Sequence, residues 1–99
     1  MDSSEQSRRR DLFFEDAARA FDTGLAIAER RVGEGKGAVE AAREGIFAAL
    51  HNLFVTFDHG TALSDDFNVY VVDEDGNELT DGALHEDFVD HLFETGRYS

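Results

Sequence analysis

The chain of 99 residues contains no cysteine, no proline and no tryptophan, and it has a single lysine, Lys36. Without cysteine, disulfide bonds, thiolate metal sites and thiol nucleophiles are all excluded. A serine nucleophile in the G-x-S-x-G context is absent as well. Because there is no proline, only the glycines mark where one element ends and the next begins.

Long hydrophobic runs are also missing. No uninterrupted apolar stretch approaches the roughly 20 residues that cross a bilayer, and the polar, charged first residues are not followed by a stretch of signal-peptide type. We therefore expect a cytoplasmic protein that does not bind membranes. The length predicts one domain over residues 8–96, between a flexible tail over residues 1–7 and a short tail over residues 97–99.

Basic residues are few, since nine of them oppose 22 acidic residues and leave a net charge of −13. Such a surface repels phosphate backbones, so we expect no nucleic-acid binding, even with the basic cluster at residues 8–10. Two interpretations of the acidity stay open. The acids are spread through every segment, which favours adaptation to a salty, halophilic cytoplasm. The other interpretation is an acidic surface that binds a basic protein or mimics nucleic acid.

Apolar residues in the first third of the chain follow the period of an α-helix and predict one over about residues 7–32. One row alternates steps of four and three, and it comprises Phe14, Ala18, Phe21, Leu25, Ala28 and Val32. A second row on the flank repeats every seven residues, and it comprises Phe13, Ala20 and Ile27. Together the two rows span roughly half of the helix circumference, which is more than one partner helix can cover.

The remaining elements predict an α+β fold. A second apolar stripe predicts a helix over about residues 37–58, and the glycine-rich turn at residues 33–37 makes it the second arm of a long antiparallel helical hairpin. Residues 67–72 and 78–80 flank Asp75-Gly76 and predict a short two-stranded β-ribbon. A C-terminal helix is expected over residues 84–94, with Gly96 as its stop.

The C-terminal helix carries the sequence HEDFVDH, whose two histidines raise the question of a metal site. On a helix, His85 and His91 point about 120° apart and cannot bind one ion together. Their spacing also differs from the HExxH pattern of zinc proteases. Asp87 and His91 are four residues apart and stay as candidate ligands, although charge pairs at this spacing are common on helix surfaces.

The second helix and its end supply the other candidate ligands, His51, Asp58 and His59. His51 and Asp58 lie about 10 Å apart along a helix, so further groups would have to complete a site. These residues carry the alternative hypothesis of a metal- or ligand-binding enzyme or sensor. An enzyme is the less favoured hypothesis, because 99 residues leave little room for an enclosed pocket. No cofactor is expected.

The main hypothesis is a homodimeric protein–protein interaction module. One apolar row of the first helix packs on the second helix, so the other row requires a second molecule, and a four-helix bundle across a dimer would cover both rows. The predicted interface consists of Phe13, Ala20 and Ile27.

Overall fold

The computed structural model describes residues 1–80 and 82–98. Over these residues the chain forms helices α1 (Ser3–Gly33), α2 (Ala38–Phe57) and α3 (Leu84–Glu94), with a short 3-10 helix at Ala62–Asp65. The helices begin and end close to the predicted bounds. No strand is present in the described residues, so the fold is all-α and the predicted α+β class is wrong.

The chain divides into two compact units, Met1–Leu53 and Phe54–Ser99, with the boundary inside α2. The first unit begins with a capped helix, because the Asp2 carboxylate accepts a hydrogen bond from the Glu5 backbone N–H at 2.8 Å. Glu5 in the first turn and two arginines in the last turn suit the helix dipole. Helix α1 therefore starts within residues 1–7, where the sequence predicts a flexible tail.

Close backbone contact joins α1 to the first part of α2. A Cβ atom on Gly24 would lie 2.5 Å from the Gly45 carbonyl oxygen and 2.8 Å from the Ala49 Cβ. A Cβ on Gly45 would lie equally close, 2.5 Å, to the Gly24 carbonyl oxygen. Ala20 and Ala41 are also buried in this unit. The two helices thus pack through small residues, which let their axes approach closely.

Ion pairs join the helices at the turn of the hairpin. Arg31 of α1 binds Glu34 at 2.7 Å and Glu44 of α2 at 3.0 Å. Lys36 in the turn binds Glu44 at 3.2 Å and Glu40 at 3.6 Å. The hydrogen bond from Arg31 holds the pKa of Glu34 below its usual value. These pairs fix the end of the hairpin at which the chain reverses.

In the second unit, aromatic side chains connect the last turn of α2 to α3. The rings of Phe54 and Phe88 lie 4.6 Å apart between centroids, and Phe54 also meets Phe57 edge-on. Leu63 of the 3-10 helix is buried, with 6% of its surface exposed. This unit therefore has a small apolar contact region of its own.

The predicted β-ribbon is reduced to one bridge, between Val72 and Glu78. The tight turn does form, because Gly76 adopts a φ of 83° and its N–H binds the Asp73 carbonyl. Pairing does not extend beyond this bridge in the described residues, because an isolated two-stranded hairpin is only marginally stable in water. The predicted turn is therefore present, whereas the predicted pairing of the two arms that flank it is limited to this bridge.

Candidate interaction surface and candidate ligand residues

The large apolar side chains of this chain are incompletely buried. All nine phenylalanines fall within the described residues, and none of them is buried. No large side chain in this part of the chain is fully buried, and the buried apolar residues are Ala20, Ala41 and Leu63. A folded chain of this composition normally surrounds several large side chains with its own atoms.

The exposed large apolar residues of α1 and α2 lie on one side of the helical hairpin, here called the hairpin face. On each helix they form a stripe about 110° from the stripe that contacts the neighbouring helix, at 100° per residue. Six of them have between 49% and 77% of their surface exposed, and these are Phe14, Phe21, Leu25 and Val32 of α1 with Val39 and Ile46 of α2. Leu50, on the same stripe of α2, is 38% exposed.

A groove of about 230 Å³ runs between the two helices on this face. Its floor consists of glycine and alanine, and its walls carry larger side chains such as Phe21, Leu25 and Ile46. Four residues from each helix line it: Phe21, Gly24, Leu25, Ala28, Ala42, Gly45, Ile46 and Ala49. The hairpin face therefore combines projecting apolar side chains with a recess that could receive such side chains.

The apolar row of α1 that was predicted as the interface lies nearer to α2 than the hairpin face does. Ala20 is only 7% exposed within the single chain, and Phe13 and Ile27 are half-buried. The interface assigned to these three residues stays a prediction. Since a buried residue offers little surface to a second molecule, the more exposed hairpin face is the better candidate.

The second unit contains a buried carboxylate at the start of α3. Asp58 accepts hydrogen bonds from the backbone N–H groups of Leu84 at 2.9 Å and His85 at 2.8 Å, and from the His85 ring. Its side chain is only 3% exposed. Burial opposes ionisation, but the donors from His85 and Leu84 outweigh it, so the pKa of Asp58 lies below its usual value. Asp58 therefore acts as a cap that holds the first turn of α3.

An Asp58→Asn variant is expected to lower the free energy of unfolding by about 1–2 kcal/mol at neutral pH, because the charged acceptor of three donors is lost. The folded pKa lies below the unfolded value of 3.8, so this stabilisation is complete above that value and disappears as the pH falls through the folded pKa. Urea unfolding across a pH series measures the difference between variant and wild type.

The matched control is Asp87→Asn, the same change at an exposed site in the first turn of α3. At neutral pH, Asp87→Asn should lower the free energy of unfolding much less than Asp58→Asn does. If the difference between the Asp58 variant and wild type stayed constant as the pH fell below about 4, the assigned ionisation would be wrong.

The other candidate ligands are dispersed. The ring of His51 stacks on that of Phe47 at 6.1 Å. His59 lies two residues beyond the end of α2 in the left-handed conformation, with a φ of 65°. Its ring meets Tyr70 edge-on at 4.9 Å. Asp87 and His91 are exposed on α3.

No group of three or more His, Asp or Glu side chains among residues 1–80 and 82–98 is placed to hold a metal ion. The structure joins Asp58 to His85, and the sequence did not single out that pairing. The two residues stand 27 positions apart in the chain, and no local spacing connects them. The metal hypothesis thus gains no support from the described part of the chain.

The basic cluster at residues 8–10 is largely occupied by contacts within α1. Arg8 and Arg9 both donate hydrogen bonds to Glu5, and these bonds lower the pKa of Glu5 to about 2. The Arg10 guanidinium lies 6.0 Å from the centroid of the Phe14 ring. The three arginines of this cluster are therefore all in contact with side chains of their own helix.

Comparisons with known protein families, with characterised proteins and with solved structures found no match. Within the described residues, no helix has both the length and the apolar content needed to cross a membrane.

Proposed function

We propose that this chain is a protein–protein interaction module that assembles as a homodimer through the hairpin face. The observation that carries the proposal is the exposure of six large apolar side chains on one side of the hairpin. At about 150–250 Å² for a phenylalanine and somewhat less for an aliphatic residue, they expose on the order of 600 Å². A patch of that size is at the upper end of what soluble monomers leave uncovered, and such patches often mark interaction sites.

The hairpin face is large enough to form an interface. Covering about 600 Å² of apolar surface on each copy favours association at about 25 cal/mol per Å². Lost freedom on binding and desolvated polar groups offset most of this gain, so the area does not convert directly into an affinity. With its polar rim, the face also approaches the roughly 800 Å² per partner of a typical stable interface.

A second copy suits this face because the face carries both projecting side chains and a recess. In a two-fold dimer each copy presents the same surface, so the surface must complement itself. Two hairpins stacked in this way form a four-helix bundle, whose interior would enclose Phe21, Leu25 and Ile46. We place this dimer in the cytoplasm of an organism with a salty interior, where the charge of −13 on each chain is screened.

Sedimentation equilibrium of the wild-type protein tests the proposal. At micromolar concentration the expected mass is twice the 11.0 kDa of one chain. The dimer should dissociate less in about 1 M than in about 0.15 M NaCl, because salt weakens the repulsion between the two acidic chains. A mass of one chain under both conditions would refute the proposal.

A further inference from the structure

Helix α2 carries one basic residue other than histidine, Arg43, at the outer edge of the hairpin face. Its side chain is exposed, and within the described residues it makes no ion pair or hydrogen bond through that side chain. Arg31 and Lys36, by contrast, both bind carboxylates. Arg43 is thus a positive charge beside an apolar face and has no carboxylate partner within the described residues.

The opposite edge of the hairpin face is acidic. Glu15, Asp22 and Glu29 repeat every seven residues along α1 and lie beside its exposed apolar stripe. All three are exposed, and none makes an ion pair within the described part of the chain. The hairpin face thus has an acidic edge on α1 and a basic residue on the α2 edge.

The contact between Gly24 and Gly45 fixes the relative heights of these charges along the hairpin. Arg43 stands two residues before Gly45, so on the antiparallel helix it is level with a position two residues after Gly24. This position lies between Asp22 and Glu29. At 1.5 Å per residue, the separations along the axis are about 6 Å and about 4.5 Å, within reach of an extended arginine side chain.

Two hairpins can stack face to face in two symmetric ways, because the two-fold axis runs either across the helices or along them. An axis across the helices places α1 over α1 of the partner and brings the two acidic rows together. An axis along the helices places α1 over α2 of the partner. It keeps the position of each residue along the helix axis the same in both copies. Only the second arrangement brings opposite charges together.

We propose that the second copy binds with α1 of each chain over α2 of the other, so that the partner's Arg43 lies between Asp22 and Glu29. This inference rests on the proposed homodimer and specifies its arrangement. The dimer then contains two equivalent charge contacts, one at each edge. These contacts favour this arrangement over the one in which like charges meet.

Exchange of the charges between two variants tests the arrangement. One variant is Arg43→Glu and the other is the double variant Asp22→Arg with Glu29→Arg. Each homodimer should dissociate at least about tenfold more readily than wild type, because like charges meet at both contacts. When the two variants are mixed, mixed dimers should exceed the statistical proportion, because both contacts are then complementary. Native mass spectrometry measures the proportion of mixed dimers.

Circular dichroism checks that both variants keep their helical content, since the changed positions are exposed on helix surfaces. If wild type and both variants form dimers of equal affinity and mix in statistical proportion, the arrangement is wrong while the homodimer stands. If the wild-type chain is a monomer, the homodimer itself is refuted. If the mixed dimer is strongly preferred, the result supports both the homodimer and the proposed arrangement of its helices.

Discussion

An Ile46→Glu variant is expected to remain monomeric at concentrations at which the wild-type protein is dimeric. Ile46 is 61% exposed in the single chain and lines the groove at the centre of the hairpin face. Dimerisation would bury two unpaired carboxylates, one from each copy, at a combined cost of about 4 kcal/mol or more. That cost raises the dissociation constant roughly 1,000-fold. Sedimentation velocity over a dilution series measures the change.

Leu79→Glu is the matched control, because Leu79 is a 54% exposed aliphatic residue of the second unit and lies outside the hairpin face. This variant should dimerise as the wild type does. The folded monomer should tolerate both substitutions, since both side chains are largely in solvent. Equal dimerisation by both variants would show that the hairpin face is not the interface.

A Gly24→Ala variant is expected to lower the free energy of unfolding by about 2–3 kcal/mol, although alanine is the better helix former. The new methyl group would lie 2.5 Å from the Gly45 carbonyl oxygen. Neither backbone can yield without moving a whole helix, so the hairpin must open locally. This strain outweighs the gain of about 1 kcal/mol in helix propensity. Thermal or urea unfolding at a fixed protein concentration measures the loss.

Gly33→Ala provides the control for helix propensity. Gly33 is the last residue of α1, and a Cβ there would meet no atom within 4 Å. This variant should be as stable as the wild type or slightly more stable. A Gly24→Ala variant that was also stabilised would mean that α1 and α2 do not cross at Gly24 and Gly45.

The helices were predictable from the sequence because each carries a long apolar pattern with the helical period. The pattern does not say which of two neighbouring stripes on α1 contacts α2. Phe14 and Phe21 have more apolar surface than Ala20 and Gly24, yet the smaller residues lie in the contact. Which stripe lies in the contact depends on how closely the surfaces of the two helices fit together. The apolar pattern of one helix alone does not predict that fit.

The β-ribbon failed as a prediction for a related reason. The turn at Gly76 is encoded locally and forms, but a two-stranded ribbon alone is only marginally stable and depends on further strands or on packing against a helix. No strand is present in the described residues to extend it. The pairing of Asp58 with the start of α3 was missed because it joins positions 26 and 27 residues apart. Contacts of this kind become visible only when the fold has brought the elements together.

The most direct test of the homodimer is an isotope-filtered NMR measurement on a mixture of labelled and unlabelled copies. Only contacts between two molecules appear in such a spectrum. In the proposed homodimer, Phe21, Leu25 and Ile46 should show intermolecular contacts, and Leu79 should show none. A spectrum without intermolecular contacts from the hairpin face would mean that two copies do not associate through it.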